Sequence, residues 1–321
     1  MQSTSPLCSD RPPALPASRE IPAAMSGFEP LAHDERATAY LTMIRRYICG
    51  PASDLPESST ATHAQAGPFT ADDCIARLAE ADRRFAPWLQ PLQRSAADVA
   101  GIEPARIAAA LNHMHHESHR LTMCSDVLLD NVVSLARTVI DERVPGDFIE
   151  TGVWRGGVTI LMRAVLNAFG AHDRNVWVAD SFEGLPEPDP AVDLREAIWH
   201  DLMGAVSGLR SDLSAVREAF ARVGLLDRRV CFLPGWFADT LPRAPIDRLA
   251  LIRLDGDWYE STRVALESLY PRLSPGGFVI VDDYGLPTGC ARAVDEYRAL
   301  HAIAAPLVQV DRQAVYWRKP C

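Results

Sequence analysis

Four aspartates follow two apolar runs in the C-terminal half of the chain. The run LALIRLD ends in Asp255 and is followed closely by Asp257, and the run GFVIVDD ends in Asp282 and Asp283. If both runs are parallel strands of one sheet, their carboxyl ends lie along one edge, where ligands of such sheets bind. Carboxylates without paired histidine or cysteine suit Mg²⁺, Ca²⁺ or Mn²⁺ better than zinc. The alternative is that some of them cap helices or face solvent.

A glycine-rich segment follows an earlier apolar run. FIETG continues as E-x-G-x-x-x-G-G from Glu150 to Gly157, and a helix is predicted to begin near Val158. Such glycines let the backbone approach a ligand, although the last two could serve packing alone, and the pattern is not the G-x-G-x-x-G of dinucleotide sites. A second run ends in Asp180, where Rossmann-like sheets place an acid that accepts from ribose hydroxyls, unless it is only an exposed cap. Together the two features indicate an adenosine-containing ligand.

Histidines and tryptophans form two weaker signals. The histidine cluster comprises His113, His115, His116 and His119. Two of them stand at i and i+4 and could share a metal, but no acidic or cysteine partner has a recognisable spacing, which favours a solvated helix or a segment near the mouth of the site. Trp236 in LPGWFADTLP and the segment Trp199–Asp201 are candidate walls for adenine or substrate, or alternatively core aromatics and ordinary loop residues.

Short apolar runs separated by helical stretches dominate the chain after Gly146. This alternation predicts an α/β fold with a mostly parallel sheet. The runs are FIETG (148–152), VWVADS (176–181), VCFLP (230–234), LALIRLD (249–255) and GFVIVDD (277–283). A closing pair, PLVQV and AVYWR, flanks Asp311–Gln313 and predicts a hairpin that adds one antiparallel strand.

Helices are predicted before the sheet. Tyr40 to Ile48 form an apolar stripe on a helix from Asp34 to Cys49, Thr70 with Asp73 resembles a capping box, and an amphipathic helix spans Asp126 to Val144. Residues 1–30 are rich in Pro, Ser and Ala and predict a disordered tail, in which Met25 is an alternative start. The predicted divisions are thus a tail (1–30), a helical N-terminal, lid and oligomerisation region (31–120) and a Rossmann-like domain (121–321).

Composition excludes several classes of protein. The net charge of −10 and the absence of a basic run argue against nucleic-acid binding. No apolar run reaches the roughly 18 to 20 residues of a membrane span, and the first 30 residues lack the layout of a signal peptide, so we expect a cytoplasmic protein without membrane association. The seven cysteines are odd in number and never spaced C-x-x-C, which argues against a disulfide framework or a thiolate zinc site.

The motifs also resemble a known family. DFIETGVWRGG, VADSFEGLP, LPGWFADTLP, LIRLDGDWYEST and SPGGFVIVDDY resemble the macrocin, mycinamicin and novobiocin O-methyltransferases of antibiotic biosynthesis. The resemblance covers Thr122 to Trp317 and the helix at residues 39–48, whereas residues 51–118 differ from the usual connection. It implies a Rossmann-like class I methyltransferase with a seven-stranded sheet, which uses S-adenosylmethionine and Mg²⁺ to methylate a sugar hydroxyl of a glycosylated natural product.

The resemblance also implies roles for individual residues. Asp255, Asp282 and Asp283 match the family's metal ligands, and Asp257 matches its general base. The candidate residues for binding S-adenosylmethionine are Glu150, Gly152, Trp154, Arg155, Gly156, Asp180, Ser181, Gly235 and Trp236. The stripe from Tyr40 to Ile48 has no obvious partner in the sheet domain and resembles a helix that the family uses in assembly, so a homo-oligomer is expected.

Elementary chemistry agrees with this assignment. A sugar hydroxyl, like water, holds its proton to a pKa of roughly 15 while aspartate titrates near about 4, so a carboxylate needs a metal to help it deprotonate the hydroxyl. Three other functions remain open at this point. They are a catechol-type O-methyltransferase acting on an aromatic diol, a non-catalytic Rossmann module that binds an adenosine ligand, and a nicotinamide dehydrogenase, which the glycine pattern disfavours.

Overall fold

The structure is a computed structural model that describes residues 33–50, 69–105, 107–108, 112, 120–203 and 209–320. The predicted N-terminal tail, the alternative start at Met25 and the histidine cluster His113–His119 lie outside the described residues. Within them, every helix is too short or too polar to span a bilayer.

Seven strands form one sheet in the order β3-β2-β1-β4-β5-β7-β6. Strands β1 to β5 pair in parallel, and β7 runs antiparallel to both β5 and β6. The predicted mostly parallel sheet with one antiparallel strand is therefore confirmed. The strands are β1 (Asp147–Thr151), β2 (Val176–Asp180), β3 (Val230–Pro234), β4 (Leu249–Leu254), β5 (Leu273–Val281), β6 (Val308–Gln309) and β7 (Val315–Arg318).

Helices precede the sheet and cover both of its faces. Those before β1 are α1 (His33–Cys49), α2 (Ala71–Arg84), α3 (Ala86–Leu89), α4 (Ala96–Ala100) and α5 (Asp126–Asp141). Those that follow it are α6 (Gly157–Ala168), α7 (Leu194–Met203), α8 (Leu213–Arg222), α9 (Phe237–Thr240), α10 (Tyr259–Leu269) and α11 (Cys290–Leu300). Helix α5 starts where predicted, after the N-cap Ser125, but ends at Asp141 rather than Val144.

Burial on both faces explains the apolar runs. All six residues of β4 are buried, as expected for a central parallel strand that has helices on either side. One core cluster joins the sheet to α1, α5, α6 and α8, and a second joins the opposite face to α10 and α11. Arg253 is the charged residue within β4, and it requires buried partners.

Helix α1 corrects one prediction. Ile44 and Ile48 are fully buried in the core cluster that contains α6, so the apolar stripe of α1 has a partner inside the sheet domain. The physical reason is the composition of α6, which is apolar on almost every side and needs a second cover beyond the sheet. Arg45 adds ion pairs to Asp126 and Asp130 of α5. The stripe therefore gives no support to the expected homo-oligomer, which stays a prediction.

A third core cluster lies apart from the sheet. It joins the α2–α4 segment, defined here as residues 69–100, to α7. The capping box of Thr70 and Asp73 is present and begins α2, and a second one, formed by Ser95 and Asp98, begins α4. These caps satisfy amides that would otherwise have no partner, which stabilises short helices far from the main core.

Candidate active site

The carboxyl ends of β1, β4 and β5 align. Thr151 pairs with Leu254 and Leu254 pairs with Val281, so the residues that follow these strands lie side by side. The amide of Asp255 donates to the carbonyl of Thr151, and the amide of Asp282 donates to that of Leu254, both at 2.9 Å. The sheet therefore brings the aspartates of two sequence motifs to one edge.

Three of these aspartates form a compact group. Asp255, Asp282 and Asp283 each offer a carboxylate oxygen, and the three oxygens lie within 4.8 Å of one another. Asp283 is 4% exposed, while the other two side chains remain partly open. This donor set, made only of carboxylate oxygens, suits a hard divalent cation such as Mg²⁺.

Arg253 is the counter-charge that the sequence analysis missed. Its guanidinium forms an ion pair with Glu150 and lies 2.8 Å from Asp255 Oδ2 and 2.8 Å from Asp282 Oδ1. Its Nη2 also donates to Cys124 Sγ at 3.0 Å. Burial alone would lower the pKa of Arg253, but the carboxylates, Asp282 foremost, hold it above its ordinary value. A charged residue inside an apolar run was the available signal.

One guanidinium does not balance the carboxylates around it. Burial is the main cause that raises the pKa of Glu150 to about 7, of Asp282 to about 7 and of Asp257 to about 8. Burial also raises the pKa of Asp283 well above its ordinary value, with the neighbouring aspartates adding to the effect. An excess of buried negative charge favours either bound protons or a bound cation. The charge balance and the donor set therefore both fit a divalent metal.

Asp257 stands apart from the three-aspartate group. Its backbone has a φ of 57°, a left-handed conformation that is uncommon for a residue other than glycine. Its amide donates to Asp283 Oδ2 at 2.9 Å, which fixes the orientation of that carboxylate. Its pKa is raised by burial first and then by Asp255 and Asp282. The carboxyl group of Asp257 is thus available for proton transfer beside the possible metal ligands.

The glycine-rich loop after β1 is held by Asp180. Its Oδ2 accepts from the amides of Val153 and Trp154 at 2.8 and 3.1 Å, and its Oδ1 accepts from Phe182 at 2.7 Å. Gly152 has a φ of 80°, and a Cβ atom there would lie 1.5 Å from the carbonyl oxygen of Asp255. Only glycine fits this close approach between the loop and the end of β4.

Two cavities open at this edge of the sheet. The first, of about 530 Å³, is lined by five predicted cofactor residues, namely Gly152, Trp154, Asp180, Ser181 and Trp236. The second, of about 510 Å³, is lined by Glu150, the three-aspartate group and apolar side chains. Asp255, Asp257 and Trp258 line both cavities. Two different ligands can therefore meet at these residues.

Three predicted cofactor residues lie behind the cavity walls. A Cβ on Gly156 would lie 2.7 Å from Val216 Cγ1, so this glycine serves the packing of the loop on α8. Arg155 stacks 4.4 Å from the ring of Trp154 and donates to a backbone carbonyl. The amide of Gly235 donates to the carbonyl of Asp180 at 2.9 Å. These residues support the loops of the first cavity.

Glu196 of α7 was also missed. It is 2% exposed and lines the first cavity. Its Oε1 accepts from the amide of Tyr259 at 2.6 Å and from that of Gly289 at 2.7 Å, at the N-terminal ends of α10 and α11. Burial is the main cause that raises its pKa to about 7. Nothing in LREAIWHDLM signals this position, because its partners are distant in sequence.

Comparison with known proteins decides the family. The Macrocin-O-methyltransferase (TylF) family model matches residues 100–319. The chain belongs to the macrocin O-methyltransferase family. The protein is therefore an O-methyltransferase with the mixed α/β, Rossmann-like fold, and the family resemblance stated from the sequence motifs is confirmed.

Individual relatives agree. The chain is 55% identical over 200 residues, 61% of the chain and 75% of the relative, to the 8-demethyl-8-(2,3-dimethoxy-alpha-L-rhamnosyl)-tetracenomycin-C 4'-O-methyltransferase of Streptomyces olivaceus. It is 49% identical over 201 residues, 62% of the chain and 78% of the relative, to the mycinamicin III 3''-O-methyltransferase of Micromonospora griseorubida. The solved structure of the O-methyltransferase NovP, 49% identical, superposes with a TM-score of 0.60 over 63% of this chain and 83% of NovP.

Proposed function

We propose that this enzyme transfers the methyl group of S-adenosylmethionine to a sugar hydroxyl of a glycosylated natural product. Asp255, Asp282 and Asp283 would hold Mg²⁺, and Asp257 would act as general base. The observation that carries the proposal is the pair of cavities that meet at Asp255 and Asp257. One cavity accommodates the methyl donor and the other accommodates the acceptor.

The first cavity suits S-adenosylmethionine. Its wall combines the backbone of the glycine-rich loop at Gly152 with Asp180, Ser181 and the half-exposed ring of Trp236. Backbone amides and an acid at the end of β2 suit the polar ribose and amino-acid parts, and an aromatic ring suits adenine. The positively charged sulfonium is also favoured by the carboxylates on the shared wall.

The second cavity supports a glycoside over an aromatic diol. Its wall combines the acidic groups with aliphatic side chains, namely Leu185, Leu209, Leu286 and Pro287, and with the rings of Trp154, Trp199 and Trp258. A catechol-type enzyme needs only a narrow slot for one aromatic ring, whereas a cavity of about 510 Å³ has room for a sugar and the group attached to it. The names of the two relatives also describe a rhamnosyl tetracenomycin and a mycinamicin as their substrates.

The proposed metal would neutralise the negative charge of the carboxylates that Arg253 does not neutralise. When bound by the three-aspartate group, Mg²⁺ would supply positive charge that lowers the pKa of the acceptor hydroxyl. Arg253 already neutralises part of the charge on Asp255 and Asp282, and its positive charge lowers both pKa values against the burial that raises them.

Asp257 would accept the proton during transfer. The acceptor oxygen forms a bond to the methyl carbon while the bond from that carbon to sulfur breaks, and its electron pair stays on sulfur. The hydroxyl proton passes to the carboxylate of Asp257, which lines both cavities. Its carboxyl group must be ionised to accept the proton, and a cation bound by the neighbouring aspartates would favour that form, because positive charge lowers a carboxyl pKa that burial raises.

Release of S-adenosylhomocysteine tests the proposal. We expect release with 4-nitrophenyl α-L-rhamnopyranoside and no release with catechol, loss of activity after treatment with EDTA, and recovery with Mg²⁺. Turnover of catechol without turnover of any glycoside in a panel of demethylated sugars would replace the proposal with the catechol-type alternative. Full activity after chelation would contradict the role of the metal.

A homo-oligomer also remains part of the proposal. Two large apolar side chains on the outer surfaces of α1 and α5 support it, since Met43 is 57% exposed and Val127 is 56% exposed. Light scattering should give a mass of at least twice the chain's 35.2 kDa. A monomer at every concentration tested would contradict it.

A further inference from the structure

The α2–α4 segment is a feature outside the family pattern. The family match begins at residue 100, so nearly the whole segment precedes it. Its apolar side chains nevertheless pack on α7, which lies within the match. The shared cluster includes Leu78, Phe85 and Leu89 from the segment and Ile198 and Leu202 from α7. An element that precedes the family match therefore supports a helix that lines both cavities.

Trp199 is the point at which this support reaches the acceptor cavity. Its indole lines the second cavity together with Met203 and Leu209. Its Nε1 donates to the carbonyl of Ala100, the last residue of α4, at 3.3 Å. That carbonyl is at the end of a helix and has no further turn to bond, so it is a suitable acceptor. The end of α4 thus fixes one edge of a ring that borders the cavity.

Arg84 connects the same segment to two parts of the site, α7 and the loop that contains Glu187. From the end of α2 it forms ion pairs with Asp201 of α7 and with Glu187. Asp201 has 17% of its side chain exposed, and Glu187 lines the first cavity. The neighbouring Arg83 pairs with Glu80 of its own helix instead. Of these two arginines, Arg84 is the one that joins α2 to the site.

The wall at Trp199 is apolar and lies in a cavity that also contains the acidic group. The sugar hydroxyl to be methylated must lie at the acidic end, near Asp257. The remainder of the acceptor therefore contacts apolar parts of the wall, among them Trp199 and Ile107, which pack in the same core cluster. A large aromatic ring there favours a flat apolar substituent over a small or hydrated one.

We propose that Trp199 determines selectivity for the apolar aglycone of the acceptor, and that the α2–α4 segment positions it through the Ala100 carbonyl and Arg84. The inference rests on the proposed glycoside acceptor. According to this inference, the α2–α4 segment influences which aglycone the enzyme accepts, although it lies outside the family match. The aspartates perform the methyl transfer.

The test compares two acceptors that differ only in the aglycone, 4-nitrophenyl and methyl α-L-rhamnopyranoside. In Trp199→Ala we expect the KM for the aryl glycoside to rise about tenfold or more, with a small change for the methyl glycoside. The KM for S-adenosylmethionine and the kcat at saturating aryl glycoside should stay within about threefold of wild type, because the aspartates are untouched. Trp199→Phe should recover most of the preference, since an aromatic ring is kept.

Matched variants separate positioning from general damage. Arg84→Met should shift the aryl-to-methyl preference in the same direction as Trp199→Ala, whereas Arg83→Met should leave it unchanged. Trp88→Phe controls for loss of a tryptophan, since Trp88 is 39% exposed and lines neither cavity. Equal losses with both acceptors in Trp199→Ala, or an unchanged preference, would overturn the inference while leaving the methyltransferase assignment intact. A wild-type enzyme that turns over neither rhamnoside nor any other glycoside would instead refute the sugar acceptor and the inference with it.

Discussion

Asp255 and Asp257 are two residues apart, yet their replacement by asparagine should give different phenotypes. Asp255 contributes an oxygen to the three-aspartate group and pairs with Arg253. Asp257 lies outside that group and lines both cavities. The first change removes a charged metal ligand and the second removes the base, so metal binding and turnover should separate.

The structure sets the size of each effect. Asparagine tolerates the left-handed backbone of residue 257 almost as well as aspartate does, and the amide bond to Asp283 Oδ2 is unaffected by the side chain. Asp257→Asn should therefore keep metal affinity while single-turnover methyl transfer falls by about 10² to 10⁴-fold, the usual loss for a general base. Asp255→Asn should weaken metal binding by about tenfold or more, and excess Mg²⁺ should partly restore its rate.

Two assays measure these effects in each variant. Electron paramagnetic resonance of bound Mn²⁺ gives the metal affinity, and rapid-quench experiments give the single-turnover rate of methyl transfer. Asp173→Asn is a matched control, because Asp173 is exposed and precedes β2 at the opposite edge of the sheet. If Asp257→Asn loses the metal, residue 257 is a ligand rather than the base. If it turns over at a near-normal rate, residue 257 takes no part in proton transfer, and the reasoning fails in either case.

Three further predictions test other parts of the structure. S-adenosylmethionine should bind after chelation of metal, because Asp282 and Asp283 do not line the first cavity and Asp255 alone of the three-aspartate group does; titration calorimetry in EDTA that detects no binding would contradict this. Ile44→Ala should lower the free energy of unfolding by about 2 to 4 kcal/mol, because Ile44 is fully buried between α1 and the sheet domain; a denaturation midpoint equal to that of wild type would place α1 elsewhere. Glu196→Gln should make the stability of the protein depend less on pH. Folding raises the pKa of the Glu196 carboxyl from 4.5 to about 7, so the folded wild-type protein loses stability as the pH rises through that range. The melting temperature of wild type minus that of the variant should thus decrease as the pH is raised from 5 to 8. An increase would show that Glu196 does not cause the pH dependence.

The sequence allowed the acidic group to be predicted because a simple rule applies to it. Parallel strands place their carboxyl ends together, so all four aspartates, Asp257 included, could be expected to meet without any knowledge of strand order. The separate position of Asp257 could not be derived this way, and came from the family resemblance. Its left-handed backbone, which turns it out of the group, depends on local geometry that the sequence pattern does not reveal.

Three features could be recognised only in the structure. They are the role of Arg253, the role of Glu196 and the partner of α1. Arg253 meets Glu150 because β1 and β4 are neighbours in a particular register, and no local pattern specifies that register. Glu196 acts on the ends of two helices that are distant in sequence. The stripe of α1 was visible, but its partner α6 was not, because a helix that is apolar on most sides does not reveal which neighbours cover it.

The ion pair of Glu150 and Arg253 has a consequence for how the chain reaches its fold. These residues are direct partners on adjacent strands, next to an irregularity in the pairing of β1 with β4 near Asp147. A slip of β4 by one residue would turn the guanidinium to the other face, among Ile149 and Val279 of the second core cluster, and leave both charges buried without partners. A slipped pairing of β1 with β4 is therefore disfavoured by the free energy of two buried, unpaired charges, a difference between registers that an all-aliphatic strand pair would lack.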